Sequence, residues 1–205
     1  MKALVVIYCP RQERSRTKQL ADYSARLLKS KGVVVDLLDL VKDVPDLLMP
    51  ERLAAYYNRN YVGQKLDARE QEYLKKMDRM TAQLKGADIV VLAYPMYNFS
   101  QPAVVKAWFD SVMQKGETWD ISQGGYAGLM KARKALIVSS SGGAYEGDLS
   151  ALDHSSSLSK QLFEFMGYRT AVVSAAGINR YPEKEAEILS AARVQIETAL
   201  AAFTG

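Results

Sequence analysis

Apolar positions along this chain follow two alternating patterns. Short unbroken runs, Lys2–Tyr8, Val33–Leu38, Ile89–Ala93, Lys134–Ser139 and Thr170–Ala176, lack polar alternation and are rich in β-branched residues. Such runs predict strands buried on both faces, as in a parallel sheet. Longer stretches between them repeat at helical spacing. Ser15 is placed as the N-cap of a helix to about Ser30, with Leu20, Ser24, Leu27 and Leu28 on one face and Gly32 beyond its end. Ala68–Lys85 carries the stripe Tyr73, Leu74, Met77, Met80, Thr81 and Leu84 and stops at Gly86. Pro102 opens a helix whose inward face is Val104, Val105, Trp108, Phe109, Val112 and Met113. A further helix starts at Ser150 or Asp153 and runs to Gly167, with Leu158, Leu162, Phe165 and Met166 inward. Pro182–Phe203 closes the chain on the stripe Leu189, Ala192, Ile196, Ala199, Leu200 and Phe203. Two segments, Asp39–Asp67 and Gly116–Met130, show no sustained pattern and are predicted irregular, the first with short helices and exposed tyrosines that cover a site or meet another subunit.

Strands alternating with helices predict an α/β fold: one domain over residues 1–205, a doubly wound five-stranded parallel sheet with helices on both faces. Right-handed crossovers bring the loops after the strands to one edge. In the order 2-1-3-4-5, strands one, three and four are neighbours, and the first and third flank the switch point where open α/β sheets bind ligands.

Those three loops carry the chain's candidate chemistry. The first, Cys9 to Thr17, ends at a helix N-terminus, an anion site supplemented by the hydroxyls of Ser15 and Thr17 and by Arg11, Arg14 and Arg16. Simple capping by Ser15 with solvated arginines explains the same residues. The second, Pro95-Met96-Tyr97-Asn98-Phe99, offers two aromatics and a soft thioether to wall in a flat ring, with Asn98 and backbone N–H groups for its heteroatoms. The third, Ser139-Ser140-Ser141-Gly142-Gly143, lets backbone approach a ligand closely. A phosphate at the first loop and a planar ring between the other two satisfy all three.

Composition narrows the choice. The formal net charge of +4 suits an anionic ligand. Basic runs interleaved with aromatics are missing, so nucleic acid is not expected, and no apolar run approaches a membrane span. A single cysteine, Cys9, rules out an intramolecular disulfide and agrees with a cytoplasmic setting. One histidine, His154, and one cysteine exclude the usual zinc and copper sites. The sequence has no G-x-G-x-x-G, Walker A or G-x-S-x-G motif. A flavin fits what is left, because it carries the electron chemistry itself and asks the protein only for position and hydrogen bonds.

At Pro95-Met96-Tyr97-Asn98-Phe99, followed by Lys106-Ala107-Trp108-Phe109-Asp110, the sequence resembles the FMN-dependent NADH-azoreductases, also called NADH:quinone oxidoreductases, over nearly the whole chain. The resemblance implies a flavodoxin-like fold. Ser15, Arg16 and Thr17 match the family's S-x-S phosphate loop, and Cys9 takes the place of a serine after strand one. Met96, Tyr97, Asn98 and Phe99 match its ring-lining loop. Ser140, Ser141, Gly142 and Gly143 match its S-R-G-G loop with serine for arginine, and Trp119 matches an aromatic that walls the substrate site. The resemblance further implies a cytoplasmic homodimer with two FMN sites at the interface, NADH or NADPH as hydride donor, and a quinone or azo compound reduced in ping-pong order. A flavodoxin-like electron carrier and a cofactor-less binding module are the alternatives from other classes.

Overall fold

The structure, a computed structural model, describes residues 1–205. Strands β1 (Lys2–Ile7), β2 (Val34–Asp39), β3 (Ile89–Pro95), β6 (Lys134–Ser140) and β7 (Arg169–Ala175) form one sheet in the order β2-β1-β3-β6-β7, every pair parallel. This is the expected five-stranded 2-1-3-4-5 sheet. Strands β4 (Trp119–Ser122) and β5 (Gly125–Gly128) form a separate antiparallel hairpin in the segment predicted irregular.

Side chains alternate across a strand, so each central strand feeds two cores. Ala3, Val5, Ile89, Val91, Leu136 and Val138 face α1 (Arg16–Ser30) and α6 (Glu185–Thr204). Leu4, Val6, Val90, Leu92, Ala135 and Ile137 face α3 (Ala68–Lys85), α4 (Ala103–Val112) and α5 (His154–Phe165). Here Trp108, Phe109 and Phe163 lie fully buried edge to face. No helix is long and apolar enough to cross a membrane.

Several expectations shift. The three inner strands are buried along nearly their whole length; β2 and β7 are edges with a neighbouring strand on one side only, and Val34, Leu37 and Val172 are exposed. Pro102 is the N-cap of α4 rather than its first helical residue, with ψ 147°. In α5 the inward residue is Phe163, and Phe165 points out. The face is rotated because Ser155 and Ser159, both fully buried, complete it by bonding to Tyr94. His154, the first residue of α5, is exposed as expected of a surface residue.

The stretch between β2 and α3 holds α2 (Pro50–Tyr57) and a π-helical turn, Asn58–Val62. Ala55, Tyr56 and Leu66 pack on Leu74 and Met77 in a small satellite core. The bidentate Arg59–Asp78 pair and the Tyr56 hydroxyl, which accepts from the Lys115 N–H, fasten it to the body. Helix α3 opens with a reciprocal cap: the Asp67 carboxylate accepts from the Glu70 N–H, and the Glu70 carboxylate accepts from the Asp67 N–H. Asp67→Ala is expected to lower stability by about 1 kcal/mol, read as a Tm about 2–4 °C lower in calorimetry.

Candidate functional site

At the carboxyl edge of β1, β3 and β6 lies a cleft of about 220 Å³, lined by Pro10, Arg11, Ser15, Arg16, Thr17, Pro95, Met96, Tyr97, Ser140, Ser141, Gly142, Ile178 and Asn179. All three loops singled out from the sequence contribute to it.

One end is the start of α1. Ser15 is buried and caps the helix, its Oγ accepting from the Lys18 N–H at 3.2 Å. The next two N–H groups, of Arg16 and Thr17, have no intrahelical acceptor and carry the helix's positive end. Thr17 Oγ1 meets Ser140 Oγ at 2.6 Å, which joins the helix start to the end of β6. The Arg16 guanidinium is held by Glu185, with Nε at 2.6 Å and Nη2 at 2.9 Å from its two carboxylate oxygens. That pairing raises the Arg16 pKa. It also corrects the expectation for Arg16: its side chain braces α1 against α6, and its backbone N–H is what it offers an anion. Arg11, exposed at the rim, is the lining cation with no carboxylate partner. Cys9 lies beneath the loop, 2% exposed, and burial pushes its thiol up to about 11, partly opposed by a hydrogen bond with Ser15. It is therefore a neutral packing group, not a reactive thiolate.

The other end is built by β3 and β6. Met96 N–H donates to Ser140 O at 2.8 Å and extends the ladder one step. The chain then reverses through Tyr97–Ser100, whose N–H groups bond each other's carbonyls at 2.9 and 3.0 Å. Asn98 (φ 47°) and Phe99 (φ 68°) are both left-handed, the geometry of a type I′ turn, at a cost of roughly 1–2 kcal/mol per residue without glycine. Strain of this kind concentrates at ligand-holding sites. The Asn98 and Phe99 N–H groups make no bond within the chain. Tyr97 packs edge-on to Tyr8, and Phe99 packs edge-on to Tyr145. Burial raises the Tyr97 pKa, so this ring stays neutral at physiological pH.

The third loop is shaped from behind. Carbonyls of Ser141, Gly142 and Gly143 accept from the N–H groups of Ile178, Asn179, Arg180 and Gly177. With those carbonyls turned away, the Gly142 and Gly143 N–H groups make no bond within the chain. A Cβ on Gly142 would lie 2.6 Å from Asn179 Nδ2, so a larger residue there displaces the Asn179 side chain.

Met96 and Tyr97 line the cleft; Asn98, Phe99 and Gly143 follow the lining residues in their loops but are not among them. Trp119 lies elsewhere. The β4–β5 hairpin docks where Met130 N–H meets Met166 O at 2.8 Å and Gly128 faces the Met166–Gly167 backbone, just ahead of β7. That is the amino edge of the sheet. Trp119 packs there with Tyr126 and Phe165, its Nε1–H donating to Met113 O, so it walls no site within its own chain. Pro10, Tyr145, Ile178 and Asn179 were missed by sequence reasoning. For Asn179 the one available signal was its place after the last strand, at the ligand-binding edge.

Free backbone donors at a helix start and a glycine loop, with an aromatic turn alongside, all at the carboxyl edge of one parallel sheet, define a flavodoxin-like α/β protein. The chain belongs to the Flavodoxin_2 family of flavodoxin-like fold, which it matches over residues 1–200. An FMN-dependent NADH:quinone oxidoreductase of Azospirillum brasilense is 33% identical over 96% of both chains. Another of that description, from Idiomarina loihiensis, is 33% identical over 91% of this chain and 93% of its own. Among solved structures, an FMN-dependent NADH-azoreductase from Bacillus anthracis in complex with FMN superposes with a TM-score of 0.89 at 25% identity, covering 100% of both chains.

Proposed function

We propose that this protein is an FMN-dependent NADH:quinone oxidoreductase that also accepts azo compounds. The observation that carries the reading is the convergence, in and beside one cleft, of backbone donors that no other group in the chain satisfies. The Arg16 and Thr17 N–H groups, with the Ser15 and Thr17 hydroxyls and Arg11, hold the phosphate. Gly142, Gly143 and Asn98 donate to the ring through their backbone N–H groups, and Met96, Tyr97 and Phe99 enclose it. Bound FMN supplies the electron chemistry, taking up two electrons from NADH or NADPH and releasing them to a flat acceptor.

A homodimer completes the site in this reading. The cleft of about 220 Å³ is smaller than the roughly 300–1,000 Å³ typical of small-molecule sites, so it encloses only part of the cofactor. The half-exposed cluster of Trp119, Tyr126 and Phe165 is an aromatic surface able to cover a partner's ring. The reading places the enzyme in the cytoplasm.

The test is the visible spectrum of protein mixed with FMN and desalted, before and after anaerobic NADH. Retained flavin absorbance that bleaches with NADH is expected. Absorbance that stays unbleached favours an electron carrier, and no retained flavin overturns the reading. Because donor and acceptor use the same open face in turn, double-reciprocal plots at several quinone concentrations are expected to be parallel; intersecting lines defeat the ping-pong order.

A further inference from the structure

A buried polar cluster adjoins the aromatic turn, and the reading above gives it no role. The Tyr94 hydroxyl, fully buried in β3, lies 2.6 Å from Ser159 Oγ and 2.9 Å from the Ser155 carbonyl. The Ser159 hydroxyl donates to Gln101 Oε1 at 2.7 Å. Ser155 and Ser159 are 0% exposed and Gln101 6%. Polar groups this deep are costly unless bonded. Even so, Gln101 Nε2 and Ser155 Oγ have no partner in the chain. Turning the Gln101 amide over only exchanges which of its atoms is left unpaired.

The cluster bears on the turn through the chain itself. Gln101 follows Ser100, whose N–H and carbonyl close the Tyr97–Ser100 pair, and precedes Pro102, the cap of α4. Phe99 O accepts from the His154 N–H at 3.0 Å. Helix α5 thus grips the turn twice, at Phe99 by backbone and at Gln101 by Ser159.

We propose that Gln101 is a positioning residue for the flavin turn. It is anchored directly to Ser159 and through Ser159 to Tyr94, and it fixes the left-handed Asn98–Phe99 pair against the ring. This rests on the FMN reading.

Its test uses the full-length protein and three measurements: FMN affinity by fluorescence titration, the two-electron potential of the bound flavin, and the Tm of the cofactor-free form. Gln101→Leu removes both amide groups at similar volume. It is expected to raise the FMN Kd about tenfold, because a misplaced turn loses its donors, and to shift the potential, because those donors discriminate between oxidised and reduced ring. Ser159→Ala is expected to act in the same direction. The double variant is expected to be no worse than the worse single within about threefold, since both remove one contact. A lowered Tm with wild-type Kd and potential overturns the proposal, as do fully additive effects. Where Gln101→Leu does not fold, Tyr94→Phe deletes a single hydroxyl from the same chain of contacts and is still expected to shift the potential; an unmoved potential then overturns it. Wild-type protein that binds no FMN defeats the functional reading itself, whereas variants that bind as wild type defeat only the role of Gln101.

Discussion

Ser15→Glu is expected to abolish FMN retention on desalting, while Ser15→Ala only weakens it. Ser15 is 6% exposed and stands where the first free N–H groups of α1 meet the cleft. On the proposed reading, a glutamate there places a carboxylate beside the cofactor's phosphate. At a separation of about 4 Å and an effective dielectric of about 20, the repulsion is about 4 kcal/mol. That corresponds to roughly a thousandfold loss of affinity. Alanine removes the cap to the Lys18 N–H, at about 1 kcal/mol, and leaves the backbone donors in place. Comparing the Tm of the two cofactor-free variants separates repulsion from misfolding. Undiminished flavin content in Ser15→Glu would remove the α1 loop from the site.

Gly128→Ala is expected to cost about 2–3 kcal/mol, read as a Tm lower by roughly 5–10 °C. A Cβ at this position lies 2.4 Å from Met166 C and 2.5 Å from Gly167 N. These are backbone atoms at the α5–β7 junction and cannot swing aside as a flexible side chain would. The Gly128 backbone itself is compatible with alanine, since its φ is not in the left-handed region, so the penalty is one of contact alone. The hairpin would have to lift off, taking the Met130 N–H away from Met166 O. A wild-type Tm would mean that the hairpin is only loosely docked.

Much of this architecture was legible because buried parallel strands read as unbroken apolar runs. Ile89–Ala93 is such a run, and its residues divide between the two cores as alternation requires. Ser15 announced α1 because its capping bond is local in sequence. The hairpin was illegible for the opposite reason. Trp119–Ser122 and Gly125–Gly128 are short and poor in pattern, held by Met166 and Gly167 from far along the chain. Helix α2 likewise takes its stability from Leu74 and Met77 of another helix. Reading Phe165 inward failed because apolar spacing cannot register serines buried by Tyr94. Within the site, the three loops stood out as clusters of donors and aromatics. Asn179 and Tyr145 did not, since a lone residue in a loop makes no pattern. Arg16 was read as a phosphate ligand because nothing local reveals that its counter-ion lies on the last helix.

The bonds from Gly177–Arg180 to the Ser141–Gly143 loop have a consequence for biosynthesis. The helix-start end of the cleft is encoded by residue 17, and the aromatic turn by residue 100. The glycine cradle takes its shape only when the segment after β7 has folded behind it. A nascent chain therefore has no complete cleft until Gly177–Arg180 have been made. On the proposed FMN reading, loading of the cofactor is expected to follow the joining of the last strand to the sheet, and a chain truncated before Gly177 leaves the Ser141–Gly143 loop without those bonds.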